Sequence, residues 1–334
     1  MNILTKAPGK LILLGEYAVL EGAPALVAAV NRLARITVAA AEEETFSVEA
    51  PVIDIPFQKF MLDTAGKVRF LKKPLKKLKF FLSIFEHAVA DLKRKNIITT
   101  PIRITLDTSE FFLRKGAAKL GLGSSAALTV ALIAALFAYY EAVEPGIDEN
   151  MALFQTALSA HRAAQGNVGS GIDVAACVYG GNLRYRLTGQ SYTSPAEIRQ
   201  LEPLKDVFFL PVWTGKASST KDLVKHFYNF KRKNGNGYRK LFMELAELST
   251  AGSLAFAEKN TTDFLALVQE YYKKMIEIGH RIEMPVVSPE HQKIADLVYD
   301  FGAVYKPSGA GGGDLGIACV RSADELTNLA SQIQ

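Results

Sequence analysis

The chain has 334 residues, beyond the ~100–200 that one hydrophobic core usually serves, so two packed domains are expected. With 49% hydrophobic and 22% charged residues it reads as a soluble globular protein rather than a disordered one. The net charge of +5 is modest but uneven, with Lys67, Arg69, Lys72, Lys73, Lys76, Lys77 and Lys79 close together. That run reads as a basic helix surface, with attraction of phosphate-bearing substrates as its other use, and no nucleic-acid partner is expected.

Cys177 and Cys319 are the only cysteines and lie in apolar segments. They predict buried free thiols, no disulfide, no zinc site, and a reducing, cytoplasmic compartment. The opening MNILTKAPGK lacks the apolar core and cleavage site of a secretory signal, and the longest apolar stretch, Ala126 to Tyr140, is too short for a membrane helix. No membrane partner is expected.

In chain order, Lys10 to Leu14 reads as a strand, and so does Ala25 to Val38, the latter interrupted at Asn31 and Arg32. Pro101 to Thr108 alternates apolar and polar residues and is a half-buried strand. Ser124 to Val143 is helical and stops at Pro145 and Gly146; Met151 to Ala164 is a second helix, ended by GNVGSGID. The strand NLRYRL follows Gly180 and Gly181. The polar stretch from Gly189 to Ala196 contains Pro195 and marks a domain boundary, dividing residues 1–190 from 191–334. The second half offers a strand over Asp206 to Val212 and helices over Leu241 to Glu258, Thr262 to Glu283 and Pro289 to Phe301. A last strand runs from Leu315 to Val320. Strands and helices mix without a repeat, so the fold class is α+β.

Three glycine-rich segments carry the chemistry. KLGLGSSAA, Lys119 to Ala127, opens onto the helix at Ser124. Its glycines let backbone N–H groups turn inward, and a helix start attracts anions, so the segment suits a di- or triphosphate. Ser124 and Ser125 add hydroxyls for phosphate oxygen or magnesium. The sequence contains no G-x-x-x-x-G-K-[ST] loop. Gly121, Gly123 and Ala126 do fit the dinucleotide pattern G-x-G-x-x-A, but Arg114 to Leu120 is loop-like where that pattern needs a buried strand. In APGKLILLGEY, Ala7 to Tyr17, a Pro8–Gly9 turn sets Lys10 at the head of an apolar strand. In KPSGAGGGD, Lys306 to Asp314, glycines permit close approach of backbone to a ligand.

Together these segments resemble the three motifs of the GHMP kinases, in the right order and spread over nearly the whole chain. The resemblance implies an N-terminal domain similar to ribosomal protein S5 domain 2, a C-terminal ferredoxin-like domain and a cleft between them, with ATP and Mg2+ as cofactors. It implies that Gly121, Leu122, Gly123, Ser124, Ser125 and Ala126 wrap the ATP phosphates, with Ser124 and Ser125 near the metal. Lys10 and Asp173 match the catalytic positions facing the acceptor, with Ser170 beside them. Gly309, Ala310 and Gly311 steady the substrate from the other domain.

Within the family, AQGNVGSGIDVAACVYG, WTGKASSTKDL and the terminal Asp314 are similar to phosphomevalonate kinases. Arg162 stands where mevalonate kinases carry a magnesium-binding glutamate. The acceptor implied is 5-phosphomevalonate. Lys216, Ser218, Ser219 and Thr220 form a donor cluster suited to its phosphate or carboxylate, and also a cap for the helix that follows. Arg184 and Arg186 are further candidates; His161 is unassigned. A mevalonate kinase, a non-catalytic metabolite sensor and a dinucleotide-dependent oxidoreductase are the alternatives. The expected assembly is a monomer or homodimer.

Overall fold

The computed structural model describes residues 1–72, 76–113, 118–143, 146–166, 169–189 and 196–333. Two long antiparallel strands, β1 (Asn2–Leu14) and β2 (Ala25–Ala40), form its spine. Asn31 and Arg32 do not end β2. The register jumps from Pro8 opposite Leu33 to Gly9 opposite Val30, so the two polar residues bulge into solvent while pairing resumes on either side.

The free edge of β2 is shared. β6 (Ile102–Asp107) pairs with it from Arg35 to Ala40, and β7 (Asn182–Leu187) from Ala25 to Ala28. Beyond β6 lie β3 (Phe46–Ala50), β4 (Ile55–Leu62) and β5 (Val68–Phe70); beyond β7 lies β8 (Ala196–Leu201). Helices α1 (Lys79–Arg94), α2 (Ser124–Tyr139), α3 (Glu149–Gln165) and α4 (Ile172–Tyr179) complete this half. The apolar, alanine-rich α2 lies across β1 and β2 with α3 and α4 beside it; a helix without a polar face belongs in the middle of such a layer.

The second half has a three-stranded antiparallel sheet in which β11 (Leu315–Val320) lies between β9 (Phe208–Trp213) and β10 (Val304–Pro307). Around it stand α5 (Thr220–Lys233), α6 (Gly235–Ala257), α7 (Thr261–Arg281), α8 (Pro289–Asp300) and α9 (Ala323–Ile333). The larger hydrophobic core runs from β1 through α2 to α6 and α7, so the halves share one interior; a smaller core lies under the second sheet.

Further sequence readings change: Pro8 and Gly9 form no turn before Lys10 but lie within β1, which begins at Asn2 and is paired through both. β8 pairs with β7, so the first sheet continues to Leu201, past the stretch chosen as the boundary; residues 190–195 of that stretch lie outside the described set. The basic run is not one helix face. Lys67 precedes β5 and Arg69 lies within it, pairing with Glu86 and Asp63, Lys76 and Lys77 lie in a 3-10 turn, and only Lys79 begins α1; Lys73 is outside the described residues. Among the described residues before Gly121 there is an isolated antiparallel bridge from Lys119 to Phe112 and no parallel strand, which speaks against the dinucleotide reading. Both cysteines are buried and free, and among the described residues no helix is long and apolar enough to cross a membrane.

An internal ion pair joins the halves. Lys306 on β10 is 0% exposed and donates to the carboxylate of Glu16, itself 2% exposed, and to the Pro307 carbonyl at 2.7 Å. Removing one partner of a buried pair strands the other charge, at a cost of about 3–5 kcal/mol. Lys306→Ala should therefore lose that much stability in urea titration, and Lys306→Met combined with Glu16→Gln should recover most of it. A loss below ~1 kcal/mol for the single variant would contradict this account.

Candidate active site

A cleft of about 510 Å³ lies where the three glycine segments meet. Lys10 enters it from β1, and its backbone N–H donates to the Leu122 carbonyl at 2.9 Å, which ties the first segment to the second. Two glycines permit that closeness. Gly121 has φ +75°, and a Cβ there would meet the Asp314 Cβ at 2.6 Å; Gly123 has φ +79°, and a Cβ there would meet the Lys10 Cγ at 2.9 Å. GLG is thus required by the side chains packed against it as well as by any ligand.

The N-termini of three helices open here. Gly123 caps α2 without a side chain, which leaves the first N–H groups of that helix free for an anion. The Ser125 hydroxyl lies 3.2 Å from His161 Nε2 and accepts from Gln165 Nε2 at 3.5 Å. His161 Nε2 is also 3.9 Å from Asp173 Oδ2 at the start of α4, so this histidine stands between Ser125 and Asp173. In the preceding loop the Ser170 carbonyl accepts from Tyr185 Oη at 2.6 Å and from an Arg162 guanidinium nitrogen at 3.1 Å. At α5 the Ser219 hydroxyl is the N-cap and accepts from the Asp222 N–H at 3.3 Å.

The second half closes the cleft through hydrogen bonds to β1 and its turn. The Ser308 hydroxyl accepts from the Ile12 N–H at 2.9 Å and donates to the Ile12 carbonyl at 3.0 Å. Tyr17 Oη donates to the Ala310 carbonyl at 2.6 Å, and the Gly309 N–H donates to Glu16 at 3.2 Å. Ser218 donates to the Gly311 carbonyl at 2.7 Å, and its N–H reaches Asp314 Oδ1 at 3.3 Å. Tyr17 and Asp314 both hold positive φ, 61° and 56°, a strain that clusters at functional sites.

Burial lowers the Lys10 pKa below that of an ordinary lysine, and the carboxylates of Asp173, Glu16 and Asp314 oppose the shift. Burial raises the Asp314 carboxyl, opposed by the Ser218 N–H and by Lys10 and Lys119. Under the glycine loop, buried His291 lies 3.0 Å from the Gly313 carbonyl through Nε2 and 2.8 Å from Tyr305 Oη through Nδ1. A carbonyl only accepts, so Nε2 carries the proton and Nδ1 accepts from the tyrosine.

Most expected residues converge. Lys10, Gly121, Leu122, Gly123, Ser124, Ser125, Ser170, Asp173, Ser218, Ser219, Thr220, Gly309 and Ala310 all line the cleft. Three do not. The Ala126 side chain is fully buried in the core. Lys216 points away to Glu290, 3.6 Å distant, because the 214–216 turn is fixed by bonds to the Asp314 backbone. Gly311 packs against Val286, leaving its carbonyl to hold Ser218. Arg184 and Arg186 line a separate, smaller hollow beside Gly22 and Phe242. Sequence reasoning missed Glu16, Tyr17 and His161 as cleft residues; the positions of Glu16 and Tyr17 directly after LLG, within the first motif, were the available signal.

The cleft is built from three glycine-rich segments on an α+β frame. Residues 83–181 match the GHMP kinases N terminal domain. The chain is 26% identical to the phosphomevalonate kinase of Streptomyces sp. (strain CL190), over 95% of this chain and 89% of the relative. It is also 26% identical to the mevalonate kinase of Aeropyrum pernix, over 98% and 91%. The Streptococcus pneumoniae phosphomevalonate kinase in complex with phosphomevalonate and AMPPNP superposes with a TM-score of 0.78 at 22% identity, covering 99% of this chain and 97% of that one. The chain carries a GHMP kinases N terminal domain over residues 83–181 and has the GHMP kinase fold.

The His291 pKa is pushed down to about 4 by burial. Its neutral form stabilises the fold fully above the ordinary value near 6.5, and that contribution is lost as pH falls from there toward 4. Chemical denaturation across this window should show stability falling by roughly 3 kcal/mol more in the wild type than in His291→Gln. Equal slopes for the two proteins would contradict the assignment.

Proposed function

We propose that the chain is an ATP- and magnesium-dependent phosphomevalonate kinase, transferring the γ-phosphoryl group of ATP to the phosphate of 5-phosphomevalonate to give 5-diphosphomevalonate. The observation that carries this reading is the convergence of Lys10, the open start of α2 and the acceptor-side loop of Ser170 and Asp173 on one cleft. Support for the acceptor comes from the relatives named above, which include both phosphomevalonate and mevalonate kinases, and from the subgroup motifs in the sequence.

A phosphate monoester has its second pKa near 6 and is already largely a dianion at neutral pH, so the acceptor needs no general base. The obstacle is repulsion between two anions, and the chain's contribution is positioning and neutralisation. The α2 start holds the nucleotide phosphates. The Lys10 ammonium lies between the loop at Gly123 and the loop at Gly309, where the transferring phosphoryl group would pass. Asp173 orients Lys10 or the metal, and general-base action is its lesser role. Among the described residues no three acidic, histidine or cysteine side chains form a metal cluster. Asp173 and the serine hydroxyls instead fit a magnesium ion that arrives on the nucleotide, since Mg2+ commonly takes one or two carboxylates plus substrate phosphates. The ion would supply charge neutralisation for the phosphates.

ADP release by the purified protein should depend on 5-phosphomevalonate and not on mevalonate, homoserine or galactose. Turnover with mevalonate alone would replace this reading with a mevalonate kinase, and absence of any turnover with tight ATP binding would favour a sensor. Lys10→Met should lower kcat at least ~100-fold, the scale of losing one preorganised charge contact. Because the ammonium is the working form and its pKa is lowered, kcat/KM should fall as pH rises at values below the ordinary 10.5 of lysine. In Lys10→Arg that alkaline limb should move up. An unchanged limb would assign it to another group.

A further inference from the structure

We propose that Arg162 is the cation that receives the acceptor's own phosphate, making the cleft selective for a phosphomonoester over the corresponding free alcohol. This rests on the reading given above and adds the residue that enforces it. Arg162 lines the cleft from the last turn of α3 and is only 7% exposed. One guanidinium nitrogen donates to the Ser170 carbonyl at 3.1 Å; Nε is buried with no partner. Among the described residues Arg162 makes no salt bridge. Asp173 is three residues beyond Ser170 yet does not pair with it.

A guanidinium carries five N–H donors and cannot shed its charge inside a protein. Burying it against a single carbonyl costs stability, so a purely structural arginine here would be expected to have a carboxylate or several carbonyls around it. The missing counter-charge points to an anion that arrives with a ligand. A phosphate dianion fits, because its oxygens match the planar fork two at a time. The neighbours decide which phosphate. His161 and Gln165, on the same helix, reach Ser125 at the nucleotide loop, whereas Arg162 reaches the Ser170 loop beside Asp173. Successive helical residues point in directions about 100° apart, so His161 faces Ser125 and Asp173 together, and Arg162 alone on this helix bonds the Ser170 loop on the acceptor side.

The test compares wild type with Arg162→Met and Arg162→Lys, measuring KM for 5-phosphomevalonate and for ATP, and melting temperature with and without 5-phosphomevalonate alone. Arg162→Met should raise the acceptor KM about 10- to 100-fold, the worth of a charge-assisted pair, while KM for ATP stays within about threefold. Arg162→Lys, which keeps the charge and loses the fork, should fall between. Without ligand, Arg162→Met should melt at or above the wild-type temperature, because an unpaired buried charge has been removed; phosphomevalonate should raise the melting temperature of the wild type and not of this variant. An unchanged acceptor KM overturns the inference while leaving the kinase reading intact, and so does a rise confined to KM for ATP. A ligand-free variant that melts well below wild type and binds both substrates poorly assigns Arg162 to scaffolding instead. Wild-type turnover of mevalonate but not of phosphomevalonate removes the reading and the inference together.

Discussion

Lys306 and Glu16 face each other with almost no exposure to solvent, one from the β10 start of the third glycine segment and the other from the end of the first. A buried ion pair contributes little net stability relative to an apolar pair, so its value lies in what it fixes. Here it fixes β10 against the end of β1, and the bonds around it extend the join. Tyr271 Oη donates to the Glu16 carbonyl at 2.6 Å, and Ser308 clasps Ile12 through both its N–H and its C=O. With those contacts in place, the Gly309 loop, Lys10 and the α2 start face one another across a cleft of fixed width.

The charge pattern of the cleft follows from this frame. Lys10 is desolvated among three carboxylates, Asp314 is pressed toward its neutral form by burial, and Arg162 has no counter-ion among the described residues. Each arrangement costs stability in the free protein. Two phosphate-bearing ligands would relieve the cations, and the left-handed backbone at Tyr17 and Asp314 marks the two places where the chain is bent to hold the walls together. The second sheet supports that geometry from behind, through a neutral His291 that bonds Gly313 on one side and Tyr305 on the other.

Much of this was legible in the sequence because short-range signals carry it. β11 was bounded correctly to the residue by the glycine cluster before it and its unbroken apolar run. The start of α2 at Ser124 was marked by GLGSS. Other features depend on contacts between distant residues. Asn31 and Arg32 read as a break, yet bulge out of a continuous strand because β1 offers partners on both sides of them. The segment from Phe46 to Phe70 contains three strands that the sequence reading left unassigned, since their apolar faces make sense only against α1. Lys216 looked like a phosphate ligand by composition, and it is turned outward by an Asp314 backbone nearly a hundred positions away. His161 was indistinguishable from an ordinary buried histidine until the fold set Ser125 and Asp173 on either side of its ring.

The central claim is that the cleft joins two phosphates, rather than phosphorylating an alcohol. Phosphorus-31 NMR of a reaction containing ATP, magnesium and 5-phosphomevalonate tests this directly. The account predicts a new pair of mutually coupled signals from a P–O–P linkage on the acceptor, growing with ADP. Consumption of ATP with mevalonate to give a single uncoupled phosphomonoester signal, and no coupled pair from phosphomevalonate, would contradict it.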